Sequence, residues 1–71
     1  MKFDYYSDTD SLYIALSEKE VTDTREVAPN IVFDYDSGGN VVGIDIYQYA
    51  SKFIDLDSLE IHSVPRHAVA A

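Results

Sequence analysis

Seventy-one residues carrying 13 acidic and 5 basic side chains give a formal net charge of -8, and the chain holds no cysteine. Such a length makes one small domain, near the size at which a single core leaves little net stability. The charge repels phosphate backbones and argues against direct nucleic-acid binding, and the lack of thiols excludes a disulfide framework, a finger-type zinc site and a cysteine nucleophile. No apolar stretch approaches membrane-spanning length, and Met1 runs directly into strand-like residues with no basic segment leading an apolar one. The expected setting is therefore the cytoplasm, away from the membrane.

Phe3 and Tyr5 alternate before Ser7-Asp8-Thr9-Asp10, and Leu12, Ile14 and Leu16 alternate after it. This spacing predicts a hairpin in which Tyr6 pairs with Ser11, Tyr5 faces Leu12 and Phe3 faces Ile14. Lys2, Asp4, Tyr6, Tyr13 and Ala15 then point to the opposite face. Asp8 and Asp10 suit bonds to the amides of their own turn; read instead as a D-x-D metal loop, they would need a distal carboxylate where Lys19 stands. Glu18 to Thr24 reads as a polar loop, Arg25-Glu26-Val27 as a short strand with Val27 inward, and Pro29-Asn30 as a turn.

Residues 34 to 45, DYDSGGNVVGID, come close to a calcium loop. Asp34, Asp36 and Gly39 occupy the right positions, but Gly38 stands where a third oxygen ligand belongs and Asp45 replaces the bidentate Glu. The flanks alternate with a period of two, whereas a calcium loop of this type needs helices. Ile31, Phe33 and Tyr35 on one side and Val42, Ile44 and Ile46 on the other predict a second hairpin around a two-residue turn at Gly38-Gly39. Ser37 would pair with Asn40, Asp36 with Val41, Tyr35 with Val42, Asp34 with Gly43, Phe33 with Ile44 and Ile31 with Ile46.

After Tyr47 the spacing changes. Tyr49, Phe53, Leu56 and Leu59 recur every three or four residues, which predicts a helical segment covering the sheet. Asp57 and Glu60 have capping-box spacing, so a break into two short helices near Asp55 is the alternative. The domain is expected to span residues 1–62. The remaining 63–71, with Pro65 and His67, read as a flexible tail, and His62 stands just before it.

Asp10-Ser11-Leu12-Tyr13-Ile14, the run from Asp34-Tyr35-Asp36 through Gly39-Asn40-Val41-Val42-Gly43-Ile44-Asp45-Ile46, and Ala50-Ser51-Lys52 together resemble the DUF2283 family of small bacterial proteins. At the position of Asp45 that family more often carries Glu. The resemblance implies a compact β-meander with a C-terminal helix and brings no established activity, cofactor or catalytic residue. Association of some members with toxin-antitoxin gene pairs implies an antitoxin-like role beside a basic protein.

Chemistry-bearing residues are few. Asp34 and Asp45 fall diagonally across the predicted hairpin, a spacing of roughly 7 to 8 Å that suits paired carboxylates, yet a flat sheet gives no enclosure. No serine lies in a nucleophile elbow. Tyr6, Tyr13 and Tyr47 fall on the nominally polar side, and tyrosine suits contact surfaces through its apolar area, few rotors and hydroxyl. The sequence thus predicts an α+β domain: an antiparallel β-meander of four to five strands with a short C-terminal helical segment. Ile31, Phe33, Tyr35, Val42, Ile44 and Ile46 are expected to form one core with Phe3, Leu12, Ile14 and Leu16. The expected function is a non-enzymatic protein-interaction module, a homo-oligomer, most simply a dimer, with a basic protein as a further partner. Tyr6, Tyr13, Tyr47, Asp34 and Asp45 are the candidate contacts, and no catalytic residue, metal ligand or cofactor is assigned. The alternative is a metal-binding protein or metal-dependent enzyme using Asp34, Asp36 and Asp45.

Overall fold

Alternation of apolar and polar residues produces five strands, and the computed structural model, which describes residues 1–65, assembles them into one antiparallel sheet. The strands are β1 (Lys2–Tyr6), β2 (Ser11–Ala15), β3 (Asp23–Ala28), β4 (Ile31–Tyr35) and β5 (Val41–Ile46), followed by a single helical turn, α1 (Ala50–Phe53). His67 and the greater part of the expected tail lie outside the described residues. Among the described residues no helix is long and apolar enough to cross a membrane.

The α+β class is as expected. The spatial order is β1-β2-β5-β4-β3, so the β1–β2 hairpin and the β3–β4–β5 meander join through β5 against β2. Residues 16–22 carry the chain to the far edge, held by the Leu16 and Ser17 amides on the Val42 carbonyl and the Thr22 amide on that of Tyr35. The first hairpin has the predicted register throughout: Tyr6 opposite Ser11, Tyr5 opposite Leu12, Phe3 opposite Ile14. Directly paired side chains share a face, so Phe3, Ile14, Ile44, Phe33 and Arg25 form one row across the sheet. On the opposite face Asp4, Tyr13, Asp45, Val32 and Glu26 form another.

The second hairpin corrects the predicted turn. Its loop has three residues, Ser37-Gly38-Gly39: the Gly39 amide bonds the Asp36 carbonyl, and Gly39 takes φ 82°. That combination, a tight turn followed by a left-handed glycine, places Asp36 opposite Asn40 and Tyr35 opposite Val41, instead of Val41 and Val42. The shift would put every later pair one residue out. A bulge at Val42 absorbs it, and from Asp34–Gly43 through Phe33–Ile44 to Ile31–Ile46 the register is as predicted.

Val27 was expected to point inward but sits at the bulge between Glu26 and Ala28 and is exposed. Pro29 and Asn30 make the turn into β4, Asn30 tolerating φ 66°.

The core is smaller than the alternation implies. Leu12, Ile46 and Ala50 form it, with Ile14, Ile44, Ile54 and Leu56 packed around, and Val42 is buried separately at the bulge. Ile31, Phe33, Tyr35 and Leu16 are only half-buried, and Phe3 is 43% exposed. The reason lies in α1. It ends after Phe53 because Ile54 is extended and the Asp55 carboxylate accepts the Asp57 amide, making a turn where a helix was expected to continue. The capping-box spacing of Asp57 and Glu60 therefore caps nothing. Phe53 and Leu59 stay exposed, and the cover over the apolar face is short.

Candidate functional site

Tyr13 stands on the polar face of β2, opposite Asp4 on one side and Asp45 on the other. Its ring lies across β5, and its Oη donates to Asp34 Oδ2 on β4 at 2.6 Å. The crossing is possible because the residue beneath is Gly43: a Cβ there would lie 2.7 Å from Tyr13 Cζ. The second oxygen of Asp34 accepts from Thr24 Oγ1 on β3 at 2.7 Å. A hydrogen-bonded chain thus ties β2, β4 and β3 together over the surface of β5.

Electrostatics follow from this geometry. The bond to Asp34, partial burial and the nearby charges of Asp34 and Asp45 push the Tyr13 phenol up to about 12. Burial, then the charge of Asp34, raises the Asp45 carboxyl above its ordinary value. At neutral pH the phenol is firmly protonated and acts as a donor, with Asp34 as its acceptor. Tyr47 donates to Glu26 Oε2 at 2.6 Å, which raises its phenol in turn. Of the candidate contacts, Tyr13, Asp34 and Asp45 therefore come together. Tyr47 pairs elsewhere, and Tyr6 is exposed on the edge strand β1.

The carboxylates of the calcium-like run do not point to one place. Asp36 Oδ1 accepts the amides of Gly38 and Asn40, both at 2.9 Å, and the Asn40 side-chain amide adds a further bond. These donors, the Asn40 amide foremost, hold the Asp36 carboxyl below its ordinary value. Asp34 serves Tyr13 and Thr24 across the sheet. Among the described residues no three of His, Asp and Glu converge as metal ligands do. His62 lies at the surface, 3.2 Å from Glu60.

A second constellation escaped the sequence reading. Asp10, in a left-handed conformation with φ 53°, does not bond its own turn with its carboxylate; it reaches 41 residues along the chain to the start of α1. There it accepts Ser51 Oγ at 2.7 Å and the Ser51 amide at 3.1 Å, while Tyr5 Oη donates to it at 2.8 Å. Its carbonyl takes the Ala50 amide, and Ser11 Oγ takes that of Gln48. Gln48 and Tyr49 both have positive φ, and Tyr49 offers α1 no side-chain cap. Asp10 supplies that cap from another element, and the bonds from Ser51 and Tyr5 hold its carboxyl below the ordinary value. The signal in the sequence was a helix start with no capping residue of its own.

On the apolar face, Phe3, Tyr5, Leu12, Ile14, Ile54 and Leu56 line a groove of about 220 Å³ between the first hairpin and the segment after α1.

The family model described as "Protein of unknown function (DUF2283)" matches residues 2–49. That is well over half of the chain, which belongs to this family; Ala50-Ser51-Lys52 lie beyond the matched range. No curated protein and no solved structure matches the chain.

Proposed function

We propose that this member of the DUF2283 family is a non-enzymatic interaction module of the cytoplasm that works as a homodimer. One observation carries the reading: among the described residues no large side chain is fully buried, and the apolar face is left half-open. A domain this small gains little from its own core, and association lets the same apolar surface contribute further. The Tyr13–Asp34–Thr24 chain supports a scaffold role, since its groups are bonded to one another on an open sheet face and satisfy each other. Sedimentation and light scattering between micromolar and millimolar concentration are expected to give the dimer mass. A monomer over that whole range overturns the reading.

The polar face favours a basic protein as a second partner. Asp4 and Asp45 flank Tyr13 in one row, Glu26 ends that row beyond Val32, and Asp34 lies in the next. Such a surface steers cations toward it and offers a tyrosine at its centre. A basic protein that co-purifies with the wild-type chain should be lost with Asp45→Lys while the homodimer is retained. Equal recovery with both chains removes this second reading.

A further inference from the structure

The sheet has two edges, and they are not equivalent. At β3 a bulge at Val27 interrupts the strand and its ladder, a feature that discourages a further strand. β1 runs through Lys2, Phe3, Asp4, Tyr5 and Tyr6 with no bulge and no proline, paired on one side only. Phe3 and Tyr5 on this strand are 43% and 44% exposed and form one wall of the apolar groove.

From this we infer that a second copy of the chain docks on β1, strand against antiparallel strand, about a twofold axis at Phe3. The inference rests on the self-association proposed above and names its surface. Facing residues in an antiparallel pair must share a face of the sheet, so a symmetric β1–β1 contact within the strand centres on Phe3, Asp4 or Tyr5. Centring on Asp4 sets two carboxylates against each other, and centring on Tyr5 leaves Asp4 opposite Tyr6. Centring on Phe3 sets Lys2 of each copy opposite Asp4 of the other, and Phe3 opposite Phe3. Charge complementarity selects the last register. It also adds a cation to the acidic row of Asp4, Asp45 and Glu26, and brings the two groove walls together in one continuous sheet.

The absence of cysteine makes the register directly readable. Phe3→Cys, Asp4→Cys and Tyr5→Cys proteins are oxidised gently at a concentration where the wild type is dimeric. The covalent dimer should form efficiently with Phe3→Cys alone. Independently, Lys2→Asp and Asp4→Lys should each weaken the dimer about tenfold by sedimentation, and their combination should restore it. Covalent dimer formed preferentially at position 4 or 5, or single charge reversals that leave the dimer constant unchanged, overturns β1 pairing at this register. In those outcomes the wild-type dimer mass still stands and the self-association reading survives, whereas a monomeric wild type overturns both.

Discussion

Gly43 decides more at the level of single residues than its size suggests. An alanine there would drive its Cβ into the phenol of Tyr13 and within 3.3 Å of Asp34 Oδ2, so the ring must leave its place over β5 and give up its bond. Gly43→Ala is expected to cost about 1 to 3 kcal/mol in denaturant unfolding, in the range of other overpacked sites. In a Tyr13→Ala background the same change should cost far less, because nothing then occupies the space; equal costs in both backgrounds would show that the ring is not the cause. The phenol also gives a pH signature. Its folded value of about 12 lies above the ordinary 10.0, so the folded state holds the proton where the unfolded state has lost it. Stability from this group is complete below pH 10, falls as the pH rises, and is gone above about 12. Tyr13→Phe should flatten that part of the alkaline melting profile relative to wild type, with the other raised tyrosines, Tyr5 and Tyr47, unchanged as the background.

At the scale of elements, α1 is the dependent piece. Four residues cannot sustain a helix by themselves, and this one begins after two left-handed residues with no cap from Tyr49. It holds its place because Asp10, in the turn of the first hairpin, takes the amides of Ala50 and Ser51, and the neighbouring Ser11 takes that of Gln48 just before the helix. Asp10→Ala should therefore raise hydrogen exchange at Ser51 and Ile54 by at least tenfold while leaving amides within β4 and β5 protected. Uniform loss of protection would mean that Asp10 supports the whole sheet and not α1 in particular. The β4–β5 hairpin illustrates the opposite case, a local sequence that sets its own structure. Ser37-Gly38-Gly39 fixes the loop, Asp36 satisfies its amides, and the bulge at Val42 returns the register to the one the apolar pattern requires.

For the whole molecule the small core governs behaviour. Leu12, Ile46 and Ala50 are its buried centre, and the row from Phe3 to Phe33 stays partly in contact with solvent. If two chains associate, as through β1, the melting temperature depends on protein concentration. A tenfold increase should raise it by about 5 °C for a dimer of this size, judged from typical unfolding enthalpies per residue. A melting temperature independent of concentration would place all the stability within one chain.

Alternation and turn chemistry in the sequence determined both hairpins, the split into an apolar and a polar face, and the pairing of Phe33 with Ile44 and Asp34 with Gly43, because those depend on residues close in the chain. The proximity of Asp34 and Asp45 followed from the same register. Contacts between distant segments were decided only in the tertiary structure. Placing β5 beside β2 put Gly43 under Tyr13 and let that side chain reach Asp34, and folding α1 back set Ser51 against Asp10. The helix is shorter than the spacing predicts for the same reason. A spacing of three and four residues from Tyr49 to Leu59 describes a helix that would need a surface to pack on, whereas the Asp55 turn and a start capped from elsewhere confine it to Ala50–Phe53. Periodicity reports what a segment would bury, and only the assembled sheet determines how much of that surface it meets.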